Sequence, residues 1–143
     1  MFRPAKKRVL VIEEDKHLMS GVRDILELED YLVLATADAY SAMLVIDDFC
    51  PDIVVLGIVF FGPDAQQQRL IGYCCYLYPI VYLSYVSFAR KMTQCHLHTE
   101  EDEILTRPFD AQDLLDAISR ILQKQRQIVK SKRSNAVASS LGR

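Results

Sequence analysis

Three groups of residues in this chain have types and spacing that suit chemistry. Glu13, Glu14 and Asp15 follow directly on the apolar run RVLVI, Arg8 to Ile12. Chemistry in open α/β sheets gathers at the carboxyl ends of strands, which is where these three acids fall. Cys95, His96 and His98 form a compact CHLH cluster of thiolate and imidazole donors suited to Zn²⁺. Three ligands so close rarely close a tetrahedron, and no fourth donor is obvious, so the cluster reads as polar side chains facing water at a loose helix end. The vicinal Cys74-Cys75 pair reads as helix packing. Against these stands an absence: the run Pro51-Asp-Ile-Val-Val-Leu ends at Gly57, which places a single hydrogen at a central strand end.

The elements that must position these residues follow from periodicity. Arg8 to Ile12, Tyr31 to Thr36, Ile53 to Leu56, Ile80 to Ser84 and Glu103 to Thr106 are short, β-branched apolar runs and are predicted to be strands. Amphipathic helices are expected from about Lys16 to Glu29, Ala39 to Phe49, Asp64 to Leu77 and from Asp110 onward, with a weaker one over Phe88 to Cys95. Asp15 and Asp110 are placed to cap the helices they precede. The inward stripes are predicted as Leu18, Val22, Ile25 and Leu26; Ala42, Met43, Ile46 and Phe49; Leu70, Ile71, Cys74 and Cys75; and Leu114, Leu115, Ile118, Ile121 and Leu122. Repeated βα steps with right-handed crossovers predict an α/β fold, a doubly wound five-stranded parallel sheet with helices on both faces.

Length and composition suit one domain: 143 residues, 50% hydrophobic and 25% charged, enough for a real core. The charge is unevenly spread. Before Ala117 there are 10 Lys/Arg and all 19 Asp/Glu; from Ala117 onward there are 7 Lys/Arg and no acid. The domain is expected over residues 6–126, with 127–143 as a basic flexible tail. That tail lacks any helix-turn-helix or aromatic stacking pattern, which argues against nucleic acid as the main partner. Leu70 to Ala89 has no charge, but Pro79 interrupts it and five tyrosines dilute it, so it reads as helix, break and strand instead of a membrane span. No secretory signal opens the chain, and Cys50, Cys74, Cys75 and Cys95 match no zinc ribbon or CxxC pair. The expectation is reduced thiols in a cytoplasmic protein.

Acids after the first strand, PDIVVL in the third, IVYLS in the fourth and LTRPF (Leu105 to Phe109) after the fifth stand in one order. Together they resemble the receiver domain of bacterial two-component response regulators, over about Lys6 to Gln125. The resemblance implies a flavodoxin-like sheet of order 2-1-3-4-5. It also implies a pocket in which an aspartate ending the third strand accepts a phosphoryl group beside Mg²⁺, with a hydroxyl residue and a lysine binding the phosphate. Position by position, Glu13 and Glu14 match the metal-binding acids, Gly57 the acceptor aspartate, Ser84 the hydroxyl residue, Arg107 the lysine and Ile104 the switching aromatic.

Three of these departures change what is possible. Acyl-phosphate formation needs a carboxylate nucleophile, and Gly57 has none. Mg²⁺ wants tight octahedral oxygen geometry, and two longer glutamates without the third carboxylate serve it poorly. A guanidinium binds a carboxylate with charge-assisted hydrogen bonds, so Arg107 is expected to pair with Glu13 or Glu14 and hold the pocket in one state. The reading is a degenerate receiver, a pseudo-receiver, that is not an enzyme, holds no cofactor or metal, and signals by protein contact without phosphorylation. The expected partners are a kinase, regulator or output protein, with a homodimer as a further option. Phe60, Phe61, Tyr73, Tyr76 and Tyr78 form the candidate docking face, since aromatic residues are enriched at recognition surfaces. The alternative reading is a sensor that binds a small lipophilic or redox ligand at that apolar face.

Overall fold

The computed structural model describes residues 5–57, 69, 73, 77–84 and 102–141. In chain order its elements are β1 (Arg8–Ile12), α1 (Lys16–Leu28), β2 (Leu32–Thr36), α2 (Ala39–Phe49), β3 (Ile53–Gly57), β4 (Ile80–Ser84), β5 (Glu103–Thr106) and α3 (Ala111–Leu141). The strands form one parallel sheet in the order β2-β1-β3-β4-β5. β1 pairs with β3 from Val9↔Ile53 to Ile12↔Leu56, and β3 pairs with β4 from Val54↔Ile80 to Gly57↔Leu83. The sequence therefore places Glu13, Gly57, Ser84 and Arg107 along one edge, where four neighbouring strands end.

β3 and β4 are buried along their whole length, as expected of central strands covered on both faces. Alternate side chains feed two cores. On one face Leu10, Ile12, Val54, Leu56, Ile80 and Tyr82 pack with Ala42 and Ile46 of α2. On the other, Val9, Val11, Ile53, Val55, Val81 and Leu83 pack with Val22 and Leu26 of α1 and with Leu114, Ala117, Ile118 and Ile121 of α3. Each fully buried branched aliphatic side chain contributes roughly 1.5–3 kcal/mol of transfer free energy, so these layers dominate the stability of the fold.

The helix starts follow side-chain chemistry. Asp15 Oδ1 accepts from the His17 and Leu18 backbone N–H groups at 2.9 and 3.1 Å. Asp38 Oδ1 accepts from Ser41 N–H at 2.7 Å. Asp110 and Asp113 cap α3 reciprocally, each carboxylate accepting from the other's backbone N–H. At the far edge of the sheet, buried Asp102 accepts from the Ile80 N–H at 2.8 Å and ties the entry of β5 to β4. Asp102→Ala is expected to cost about 2 kcal/mol in urea unfolding, since it strands a buried donor, while Asp102→Asn keeps the acceptor and most of the stability.

Two expectations need correction. Met43 was expected to face inward but is 40% exposed: the core stripe of α2 runs through Ala42, Ile46 and half-buried Phe49, and Met43 sits one residue off it. The second concerns 127–143. A flexible tail was expected, yet α3 continues unbroken to Leu141. No glycine or proline interrupts the sequence between Phe109 and Leu141, and Gly142 follows. Fading apolar periodicity reports loss of burial, which is different from loss of helix. Of the third predicted helix, Arg69, Tyr73 and Leu77 have helical backbone; the predicted helix over Phe88 to Cys95, with His96 and His98, lies outside the described residues.

Candidate functional site

Glu13 is the first residue after β1, and its backbone N–H donates to Thr36 O at 3.0 Å, continuing the pairing with β2. That register turns its side chain inward, and the residue is only 2% exposed. Glu14, next in sequence, is exposed. The adjacent acids are thus one in and one out, as strand alternation demands.

Arg107 leaves β5 on the opposite side of the sheet edge. Its backbone N–H donates to Ser84 O at 2.8 Å, which anchors it beside the end of β4, and its peptide bond to Pro108 is cis. The guanidinium then reaches back over the ends of β4 and β3 and donates from Nη2 to Glu13 Oε2 at 2.8 Å. With β3 and β4 between β1 and β5, the two side chains together cross roughly three strand spacings, about 14 Å. Glu13 Oε1 accepts from the Asp15 backbone N–H at 3.1 Å, so both carboxylate oxygens are engaged.

Gly57 makes this bridge possible. A Cβ built on Gly57 would overlap Glu13 Oε2 and lie 2.5 Å from Glu13 Cδ. The Glu13 carboxylate therefore fills the space beside the β3 terminus that any side chain at position 57 would claim. Ser84 is fully buried at the end of β4. Ile104 lies one strand layer back, paired in register with Tyr82 and partly buried against the core that contains it.

The electrostatics follow from this burial. Desolvation pushes the Glu13 carboxyl above its ordinary value, and the Asp15 N–H and the Arg107 charge pull it partly back. The Asp15 carboxyl is held below the usual range, chiefly by the Leu18 N–H and then by the His17 N–H and charge. The same two N–H groups are the ones Asp15 caps at the start of α1.

These donors do not suit the Mg²⁺ that the resemblance implies. One carboxylate is occupied by a guanidinium and a backbone N–H, the second caps a helix and the third faces outward. Among the described residues no group of three or more His, Cys, Asp or Glu could hold a metal ion.

Of the candidate docking face, Tyr73 and Tyr78 are described. Both are half-buried and pack against the core beneath α2, and the Tyr73 hydroxyl donates to Asp47 of α2. Part of their area is thus already covered within the chain. Phe60, Phe61 and Tyr76 lie outside the described residues. Sequence reasoning missed the contribution of the Asp15 N–H and the burial of Asp102, neither of which has a periodicity signal.

No protein-family model and no curated protein sequence matches the chain. Solved structures do match it. A CheY-like response regulator receiver domain protein from Methanospirillum hungatei JF-1 is 21% identical with a TM-score of 0.72, covering 86% of this chain and 98% of that one. The receiver domain of NtrX from Brucella abortus is 24% identical with a TM-score of 0.69, covering 80% and 98%. A receiver domain protein from Clostridium thermocellum is 16% identical with a TM-score of 0.71, covering 85% and 98%. With the sheet order β2-β1-β3-β4-β5, these likenesses show that the chain has the α/β fold of response-regulator receiver domains.

Proposed function

We propose that the chain is a receiver-like signalling module that acts through protein contact and does not depend on phosphorylation. One observation carries this reading: the Glu13 carboxylate, bound by Arg107 and by the Asp15 N–H, occupies the space beside Gly57 where an acceptor side chain would stand. An acyl phosphate forms when a carboxylate oxygen attacks phosphorus and the donor's leaving group departs. Gly57 supplies no such oxygen, and those of Glu13 are both engaged away from solvent. An internal cation–anion pair stands where an ordinary receiver gains its charge by modification. The module is pictured as fixed in one conformation, read by a kinase, regulator or output protein in the cytoplasm.

The test is incubation with acetyl phosphate and Mg²⁺ followed by intact mass measurement. No phosphoryl adduct is expected, with an ordinary receiver labelled in parallel. A stoichiometric, hydroxylamine-sensitive adduct on this chain would overturn the proposal.

A further inference from the structure

β2 is an edge of the sheet, paired on one side with β1. The Leu32 N–H donates to Lys7 O at 2.9 Å, and the Glu13 N–H donates to Thr36 O at 3.0 Å. A parallel strand turns alternate residues towards its neighbour, so Leu32, Leu34 and Thr36 are the residues bonded to β1. The N–H and C=O groups of Val33 and Ala35 therefore point away from the sheet, and among the described residues no strand pairs with them. Solvent reaches the whole strand: Leu32 is 43% exposed and Val33 to Thr36 are half-buried.

Sheets ordinarily guard such an edge with a charge, a proline or a bulge. β5, at the other edge, follows that rule: its first residue, Glu103, is a carboxylate held by Arg120 of α3 at 2.8 Å. β2 does not. Its sequence, LVLAT, has no charge, glycine or proline, and its register on β1 runs without a bulge from Leu32 to Thr36. Leu32 also sets a large apolar side chain in water on the strand itself. Unpaired backbone groups beside exposed apolar area form a template for one more strand.

We infer that this strand is the occupant of its own edge: β2 of one copy pairs antiparallel with β2 of a second copy, joining two sheets across a two-fold axis at Leu34. The register follows from the outward groups. They lie symmetrically on either side of Leu34, so the axis sets Val33 opposite Ala35 of the second copy and Ala35 opposite its Val33. Both pairs then exchange N–H···O bonds, as the hydrogen-bonded pairs of an antiparallel ladder do. Leu34 meets its own copy on the axis, and Leu32, on the same face by alternation, covers its exposed area against Thr36 of the second copy. The only charges at the ends of the contact are already engaged within the chain. Asp30 leaves the strand line at φ 68° and pairs with Lys6 at 3.0 Å, and Asp38 is spent on the Ser41 N–H. Because the contact is isologous it closes as a dimer and leaves no further edge of this kind open.

The experiment is sedimentation velocity on the full chain across a concentration series, with residue-resolved amide exchange at its two ends. A dimer is expected, and its association should not weaken when salt rises from about 0.05 to 0.5 M, since no ion pair holds it. The Val33 and Ala35 amides should exchange at least about tenfold more slowly at dimer concentrations than at monomer concentrations, while the Leu34 amide, bonded to β1 in both, changes little. Leu32→Lys places a charge at an exposed position of the edge and is expected to weaken association at least about tenfold with the fold intact. Ala35→Pro removes an outward donor and spares the ladder to β1, and is expected to give a monomer. A chain that stays monomeric up to about 1 mM overturns the inference. So does a dimer indifferent to Leu32→Lys, or one in which the Val33 and Ala35 amides exchange as they do in the monomer; the exchange measurement needs no variant to fold. None of these outcomes bears on phosphorylation, which the phosphodonor experiment decides separately.

Discussion

Gly57→Ala is expected to destabilise the domain by about 2 kcal/mol in urea unfolding, although alanine is favoured over glycine in a strand by roughly 0.5–1 kcal/mol. The added methyl group must take space held by the Glu13 carboxylate. Glu13 is the flexible partner, so it swings out towards solvent and its ion pair with Arg107, whose side chain is only 16% exposed, is lost. The cost is therefore a broken buried ion pair, with little backbone strain. A double-mutant cycle separates the two. If Glu13→Ala is made first, the space beside Gly57 is open and the second substitution should cost little, giving a coupling of at least about 1 kcal/mol. Additive effects would show that Gly57 is needed for a reason unrelated to Glu13. By the same reasoning Gly57→Asp alone is not expected to recreate a phosphoacceptor, because its side chain competes with Glu13 for one space. Gly57→Asp with Glu13→Asp, which withdraws one methylene, is the pair that opens the pocket. Intact mass after acetyl phosphate treatment measures both.

Arg107→Ala is expected to cost about 3–4 kcal/mol at neutral pH, because it leaves the Glu13 carboxylate buried without its cation. The loss should depend on pH with a definite sign. Glu13 in the folded protein has its pKa raised above the ordinary 4.5 by desolvation, so the native state holds this proton more tightly than the unfolded chain does. The stability gained from protonated Glu13 is complete below 4.5 and is lost as pH rises through the higher folded value. Arg107 limits that loss, since its charge and hydrogen bond favour the ionised form. Without it the folded value moves further up and the loss extends to higher pH. Urea midpoints for the native chain and the variant should lie close together near about pH 4 and separate steadily towards about pH 8. A gap that stays constant across this range would show that Arg107 stabilises by packing alone.

The legibility of this protein divides along a physical line. Five apolar β-branched runs, spaced for crossovers, sufficed to anticipate a parallel sheet, because burying both faces of a central strand constrains composition strongly. The order β2-β1-β3-β4-β5 came from likeness to a family, and the structure has it. The apolar period of α3 weakens near Gln127, but periodicity does not set how far a helix runs. Backbone propensity, with no glycine or proline before Gly142, carries the helix to Leu141. Met43 lies off the predicted inward stripe because one residue, 100° around a helix, separates the core stripe from the surface.

By itself the sequence determined that a glycine ends the third strand, so no carboxylate nucleophile stands there, and that Glu13, Glu14 and Arg107 lie at the edge where it ends. Only the tertiary structure decided that Glu13 and not Glu14 turns inward, that its carboxylate fills the space beside Gly57, and that Arg107 crosses two strand ends to bind it. The reason is that residue identity fixes which groups exist, whereas the register of β1 on β2 and β3 sets which way each side chain points. Contacts across 94 residues of sequence exist only once five strands have aligned their ends.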